Sequence, residues 1–235
     1  MVKRLIVNAD DFGQSPEINR GILHAHAYGI VTSTSVLVRW PAAAEVTNVV
    51  HDYPQLGLGL HVDLGEWACR NGEWYPLYRV LSEAAESSSD AVSAEVMRQL
   101  SSFRALTGKN PTHLDSHQHV HRSEPLRSIL LDLGQALQIP VRHFSPDIRY
   151  VGDFYGQTGT GEPYPEGITV ESLRRVIASL ADGTNELCCH PGLGVDHDSP
   201  YAHERMQECN ALCDPTVRHS LDAAQCCLVS FGAPR

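Results

Sequence analysis

Short apolar runs of strand length alternate along this chain with stretches of helix length, and that alternation narrows the fold more than any other feature. Strands separated by helices cannot close as hairpins. Each helix carries the chain back across the sheet, so neighbouring strands run parallel. Strand-like runs are read at residues 4–9, 31–38, 56–63, 112–121, 140–144, 186–190 and 226–231. Ser15 and Pro16 read as the cap and first position of a helix that Gly29 closes. Further helices are expected at 41–51, 91–106 (stopped by Gly108), 123–137, 169–182, 199–213 and 216–224. About seven such units predict an α/β fold of TIM-barrel kind, a distorted or incomplete (β/α) barrel.

Two segments fall outside this alternation. Residues 65–90 carry Trp67, Trp74, Tyr75 and Tyr78 and read as an irregular loop, either a cap on the core or a platform for the apolar face of a sugar. Residues 145–167, rich in Gly, Pro and Tyr and including Tyr155, are too long for a simple connection and suit a binding loop.

The most concentrated chemistry lies at Thr112-His113-Leu114-Asp115-Ser116-His117-Gln118-His119-Val120-His121, which holds four of the 13 histidines. In an extended segment alternate side chains share a face, so His113, Asp115, His117, His119 and His121 are expected together. The run is either part of a metal site or a polar edge strand. Alternation in the 56–63 run likewise puts Gly57, Gly59, His61 and Asp63 on one face, expected open and polar, and Leu58, Leu60 and Val62 on a packed one. Asp10 and Asp11, His61, His117 and His190 each end a predicted strand, where a barrel gathers its active site. That recurrence favours a metal-dependent site over an edge strand.

Composition sets outer limits. Lys and Arg number 18 against 28 Asp and Glu, a net charge of −10, so nucleic acid and anionic membrane are not expected partners. No apolar run reaches the roughly 18 residues of a bilayer span, and the chain enters a strand-like run at once, so a cytoplasmic protein is expected. Of seven cysteines, the adjacent pairs Cys188-Cys189 and Cys226-Cys227 read as reduced core fillers, and no Cys-x-x-Cys zinc motif is present.

The same residues carry a resemblance. Asn8-Ala9-Asp10-Asp11-Phe12-Gly13, Gly59-Leu60-His61, the histidine run and His190-Pro191-Gly192 resemble the signature of the YdjC-like carbohydrate deacetylases, which include chitooligosaccharide deacetylases. Weaker similarity lies at Gly29-Ile30-Val31-Thr32-Ser33-Thr34 and Phe154-Tyr155-Gly156. The resemblance implies one deacetylase domain over residues 1–235, a distorted (β/α) barrel, and hydrolysis of N-acetyl groups on amino sugars. It also implies one divalent metal ion held by Asp11, His61 and His117, magnesium by analogy. On softness alone, two imidazoles and a carboxylate suit zinc, nickel, cobalt or iron. Where the family often carries Leu-Val-Asn, this chain has Leu37-Val38-Arg39-Trp40, so the first sugar-binding positions are expected to differ.

Amide hydrolysis needs a nucleophile, a place for the developing oxyanion and a proton for the departing amine. Adjacent carboxylates on a strand face opposite ways, so a division of labour is expected, Asp11 on metal and Asp10 accepting the water proton; Ser15 already fills the cap role an Asp pair might otherwise serve. His190 is the candidate acid, though a lone histidine is more often a core residue. Arg142 either pairs with Asp10 and holds it ionised or makes an ordinary surface ion pair. Asp115 is expected to accept from a ligand imidazole and fix its tautomer. The expected partner is a small N-acetylated amino sugar, with a homodimer compatible. A dinuclear hydrolase of phosphate esters or cyclic amides, and a sugar-binding homologue without turnover, are the alternatives.

Overall fold

The computed structural model describes residues 2–70, 72–194 and 201–233. Its centre is β1 (Lys3–Phe12), buried from Leu5 onward. A strand that is apolar on both faces has to be covered on both, which a parallel sheet wrapped by helices provides. The sheet runs β6 (Leu114–Ser116), β3 (Gly57–Val62), β2 (Ser33–Val36), β1, β8 (Gly183–Cys189), β7 (Ile148–Val151), with every pairing parallel. Alongside residues 3–5 of β1, β9 (Cys226–Leu228) adds a further parallel pairing.

Helices pack on the outside. α1 (Pro16–Ala27) opens on Ser15, whose Oγ accepts the Ile18 N–H at 3.3 Å, and it packs on α7 (Ala202–Leu212). α4 (Ser89–Thr107), ended by Gly108 in the left-handed region, lies against α2 (Val46–Asp52) and α5 (Leu126–Leu137). α6 (Val170–Ser179), capped by Thr169, meets α8 (Pro215–Ala223). Apolar side chains such as Phe12, Ile18, Leu60, Leu100 and Leu130 are fully buried between these layers, each worth roughly 1.5–3 kcal/mol of transfer free energy. Among the described residues no helix is long and apolar enough to cross a membrane.

The expected incomplete barrel is therefore present as a curled half-barrel with flanking helices. Its edges are β6 and β7, and next to β6, among the described residues, a single parallel bridge, Leu114 to Val141, extends the sheet. The strand expected at 140–144 is thus a turn with one bridge. A strand does fill the other edge, and it is β7, inside the 145–167 segment read as a loop. Its pattern was hard to see because Ile148–Val151 is only partly buried, a short run between Pro- and Gly-rich neighbours.

Residues 65–90 also depart from expectation. β4 (Gly65–Arg70) and β5 (Glu73–Arg79) form an antiparallel hairpin, followed by the short α3 (Glu83–Glu86). β5 is mostly exposed, so its apolar and polar residues do not sort cleanly between two faces. The face of β3 expected to be open is buried throughout, because the barrel interior is filled by polar side chains of neighbouring strands. Gly59 shows how tightly: a Cβ there would fall 2.3 Å from the His113 ring. Of the helix expected at 199–213, Ser199 and Pro200 lie outside the described residues.

Candidate active site

The polar ends of β1, β3, β6 and β8 converge on a cavity of about 580 Å³. β1 contributes two carboxylates to it. Its register with β2 shifts between Ala9 and Phe12, and Asp11 takes a φ of 72°, a conformation that costs a non-glycine residue roughly 1–3 kcal/mol. The bulge turns Asp10 and Asp11 into the same cavity, where a regular strand would send them apart.

Asp10 is fully engaged. Arg142 donates Nη1–H to its Oδ2 at 2.6 Å and Nη2–H to its Oδ1 at 2.8 Å, and Asn8 donates to Oδ1 at 2.8 Å. Burial alone would raise this carboxyl, but the Arg142 guanidinium, helped by His61, outweighs it and holds Asp10 below the ordinary carboxylate range. Arg142 is 2% exposed and also meets Asp115 at 2.9 Å and Glu186 at 2.6 Å, so it is an interior hub and no surface ion pair.

Asp11 Oδ1 lies 3.0 Å from His117 Nδ1 and 3.4 Å from His61 Nε2, while its Oδ2 accepts from Arg205 at 2.6 Å. Behind His61, Nδ1 meets Asp115 Oδ1 at 2.7 Å. Burial lowers both rings, yet neighbouring carboxylates more than compensate. Asp115 and Asp10 bring His61 up to about 9, and Asp11 holds His117 well above the ordinary histidine value. Asp11, His61 and His117 each place one donor atom within 4.8 Å of the others, and so do Asp10, Cys188 and His190 and the set Asp10, His61 and Asp115. A carboxylate oxygen and two imidazole nitrogens on rigid strand ends suit a divalent cation with positions left over for small ligands.

The extended histidine face does not form. β6 ends at Ser116, and His117 to Arg122 turn as a short 3₁₀ segment with Gln118 and His119 at φ of 50° and 54°. His113 stays inside the barrel, bonded to Ser35 Oγ at 3.0 Å and stacked on Phe231. His119 bonds the Tyr150 hydroxyl at 3.1 Å, and His121 uses Ser116 and the Arg142 carbonyl.

His190 faces the cavity from the end of β8, with burial pushing its ring down to about 4. Its backbone N–H donates to Glu208, whose other oxygen accepts the Tyr201 hydroxyl at 2.6 Å. Glu208 and Arg205, both absent from the sequence-level candidates, stand three apart on α7, a spacing that puts them on one helix face. That spacing was the available signal. Glu66, also missed, had none, since it lies in the segment read as a loop.

The walls are aromatic. Trp67 and Trp74 from the hairpin and Tyr155 from the segment after β7 line the cavity, and Tyr155 stacks on Tyr201 at 4.9 Å. Arg39 and Trp40 do not line it. Arg39 reaches Asp63 at 3.6 Å and Glu95 at 3.3 Å, and Trp40 packs edge-on to Tyr78, so the departure from the family pattern braces the hairpin from behind.

The chain matches the family of YdjC-like proteins over residues 4–223. It is 32% identical to a carbohydrate deacetylase of Geobacillus stearothermophilus over 92% of each chain. Identity is 30% to a chitooligosaccharide deacetylase of Serratia marcescens, covering 98% of this chain and 99% of that one. A solved Enterococcus faecalis V583 protein named for cellobiose-phosphate cleavage superposes with a TM-score of 0.78 at 25% identity, with 98% of each chain covered. A family 4 carbohydrate esterase of Streptomyces lividans, at 12% identity and a TM-score of 0.57 over 96% of this chain and 91% of that one, shares the fold.

Proposed function

We propose, from the premise that this chain belongs to the YdjC-like protein family, that it is a metal-dependent hydrolase removing the N-acetyl group of an amino sugar or oligosaccharide. The observation that carries this reading is the convergence of Asp10, Asp11, His61, His117 and His190 on one aromatic-walled cavity. Relatives named for carbohydrate deacetylation support the substrate class.

In this reading Asp11, His61 and His117 hold one divalent cation. Magnesium is implied by resemblance, and zinc, cobalt or nickel fit the donors as well. When bound there, such an ion would polarise an acetyl carbonyl and would lower the pKa of water from about 15.7 toward about 7, as in favourable zinc sites. Asp10, kept ionised by Arg142, is the carboxylate that accepts a proton from the attacking water. The water oxygen bonds to the acetyl carbon, the C–N bond breaks, and His190 gives the departing nitrogen a proton. A ring that burial holds near 4 is neutral at pH 7. It becomes an acid by receiving the proton that Asp10 takes from the water, the two groups having donor atoms within 4.8 Å of each other. Protons thus balance: the one Asp10 takes from water returns through His190 to the nitrogen, and the products are the free amine and acetic acid, which ionises to acetate. Trp67, Trp74 and Tyr155 offer flat apolar faces to the sugar rings.

Acetate release from a panel of N-acetylated mono- and oligosaccharides, with and without chelator, tests the assignment. Release that stops on chelation and returns with added metal is expected. No release from any amino sugar refutes it. The donors Asp10, Cys188 and His190 favour a second reading, a dinuclear hydrolase. Two metal ions per chain together with phosphate-ester turnover would establish that instead.

A further inference from the structure

The hairpin brings into the cavity a carboxylate that the chemistry above leaves unused. Glu66 is 8% exposed, and its Oε2 stands 3.8 Å from His117 Nε2. That nitrogen is buried and has no hydrogen-bond partner among the described residues. The other nitrogen of the same ring, Nδ1, faces Asp11 at 3.0 Å. His117 thus lies between two carboxylates from different elements. His61 shows the same arrangement completed, with Nε2 facing Asp11 at 3.4 Å and Nδ1 in contact with Asp115 at 2.7 Å.

An imidazole that offers a lone pair from one nitrogen keeps its proton on the other. A carboxylate accepting that N–H fixes the tautomer, orients the ring and makes the free lone pair more basic. His61 has such a carboxylate in bonding contact. His117 has one short of it, since an N–H to oxygen bond spans about 2.7–3.2 Å. No backbone carbonyl or hydroxyl competes for Nε2, so the group placed to take the proton is Glu66.

Resting on the metal-dependent reading of this site, we propose that Glu66 is a positioning residue: it accepts the His117 Nε2–H when a divalent cation lies among Asp11, His61 and His117, as Asp115 does for His61. The hairpin is built for this. Gln118, next to His117, clips it at both polar atoms, accepting the Trp67 N–H at 2.9 Å and donating to the Trp67 carbonyl at 2.7 Å. Glu66 precedes Trp67, so the clip that sets the aromatic wall also sets the distance from Glu66 to His117. Metal affinity and the sugar wall therefore share one support.

The test is zinc binding by calorimetry to the wild-type chain, Glu66→Ala and Glu66→Gln, with circular dichroism and metal-free melting temperature as folding controls. Loss of a carboxylate in this position typically weakens metal binding about 10- to 100-fold, and that loss is expected for Glu66→Ala. Glu66→Gln keeps an acceptor oxygen and is expected to recover most of the affinity. In ¹⁵N-histidine spectra of the zinc-loaded chain, a slowly exchanging His117 Nε2–H should be present in the wild type and Glu66→Gln and lost in Glu66→Ala. Unchanged affinity in Glu66→Ala overturns the inference and leaves the metal-dependent reading standing. Equal loss in both variants overturns it too, because direct coordination by the carboxylate gives that pattern. A wild-type chain that binds no divalent cation overturns both.

Discussion

Asp11 serves Arg205 through one oxygen and the imidazoles of His61 and His117 through the other, so its carboxylate joins those two rings to α7. Loss of any of the three donors leaves too few anchors. Asp11→Ala, His61→Ala and His117→Ala are each expected to lose most bound metal, whereas His121→Ala, whose ring is spent on Ser116 and the Arg142 carbonyl, keeps it. Elemental analysis after dialysis decides, and normal metal in His117→Ala would refute the donor set. Glu208 carries a pH signature. Burial raises its carboxyl from 4.5 to about 8, so between those values the folded chain keeps a proton that the unfolded chain has released. Its contribution to stability is complete below about 4.5 and is lost as pH rises through about 8. Glu208→Gln, which imitates the protonated group, should show a shallower fall in denaturant midpoint across that window. Parallel curves for the two proteins would show that Glu208 does not hold that proton.

The β4–β5 hairpin is the element whose role changed most between sequence and structure. Read as an irregular loop, it is a backed wall: Trp40 packs edge-on to Tyr78 behind it, and the Tyr78 hydroxyl donates at 3.1 Å to Asp63, the carboxylate that Arg39 reaches. Trp74 sits on its cavity side and is 57% exposed, so it gives little to the core. Trp74→Ala is expected to raise KM for an N-acetylated oligosaccharide several-fold more than for the monosaccharide, with the melting temperature nearly unchanged. A fall in melting temperature with KM constant for both substrates would make Trp74 a cap. The 3₁₀ turn after β6 matters equally, because it takes His117 to Asp11 and His61 and sends His119 and His121 elsewhere. No strand could do both.

Across the whole molecule, Arg142 holds the interior of an unclosed barrel. From the residue after the single bridge beside β6 it reaches Asp10 on β1, Asp115 on β6 and Glu186 on β8. One guanidinium thus bonds carboxylates from three strands where, among the described residues, no strand closes the sheet. Removing one partner of a buried ion pair costs about 3–5 kcal/mol, because the charge left behind is uncompensated. Arg142→Met is expected to destabilise by at least that amount in a denaturant titration, and to lose turnover along with it. A variant of wild-type stability would show that water or another cation replaces the arginine.

By itself the sequence determined the alternation, and with it the parallel sheet, the outer helices and the strand ends carrying Asp10, Asp11, His61, His117 and His190. Those signals are local, since an apolar run ending in a polar group reports strand length and polarity within about ten residues. Only the tertiary structure decided which polar groups meet. The bulge at Asp11, the turn after Ser116 and the hairpin carrying Glu66 each bend the chain against its local pattern. Arg205 and Glu208 reach the site from a helix far along the chain. Burial then sets their chemistry, because a charge taken from water must find its partner in space, and sequence distance does not carry that information.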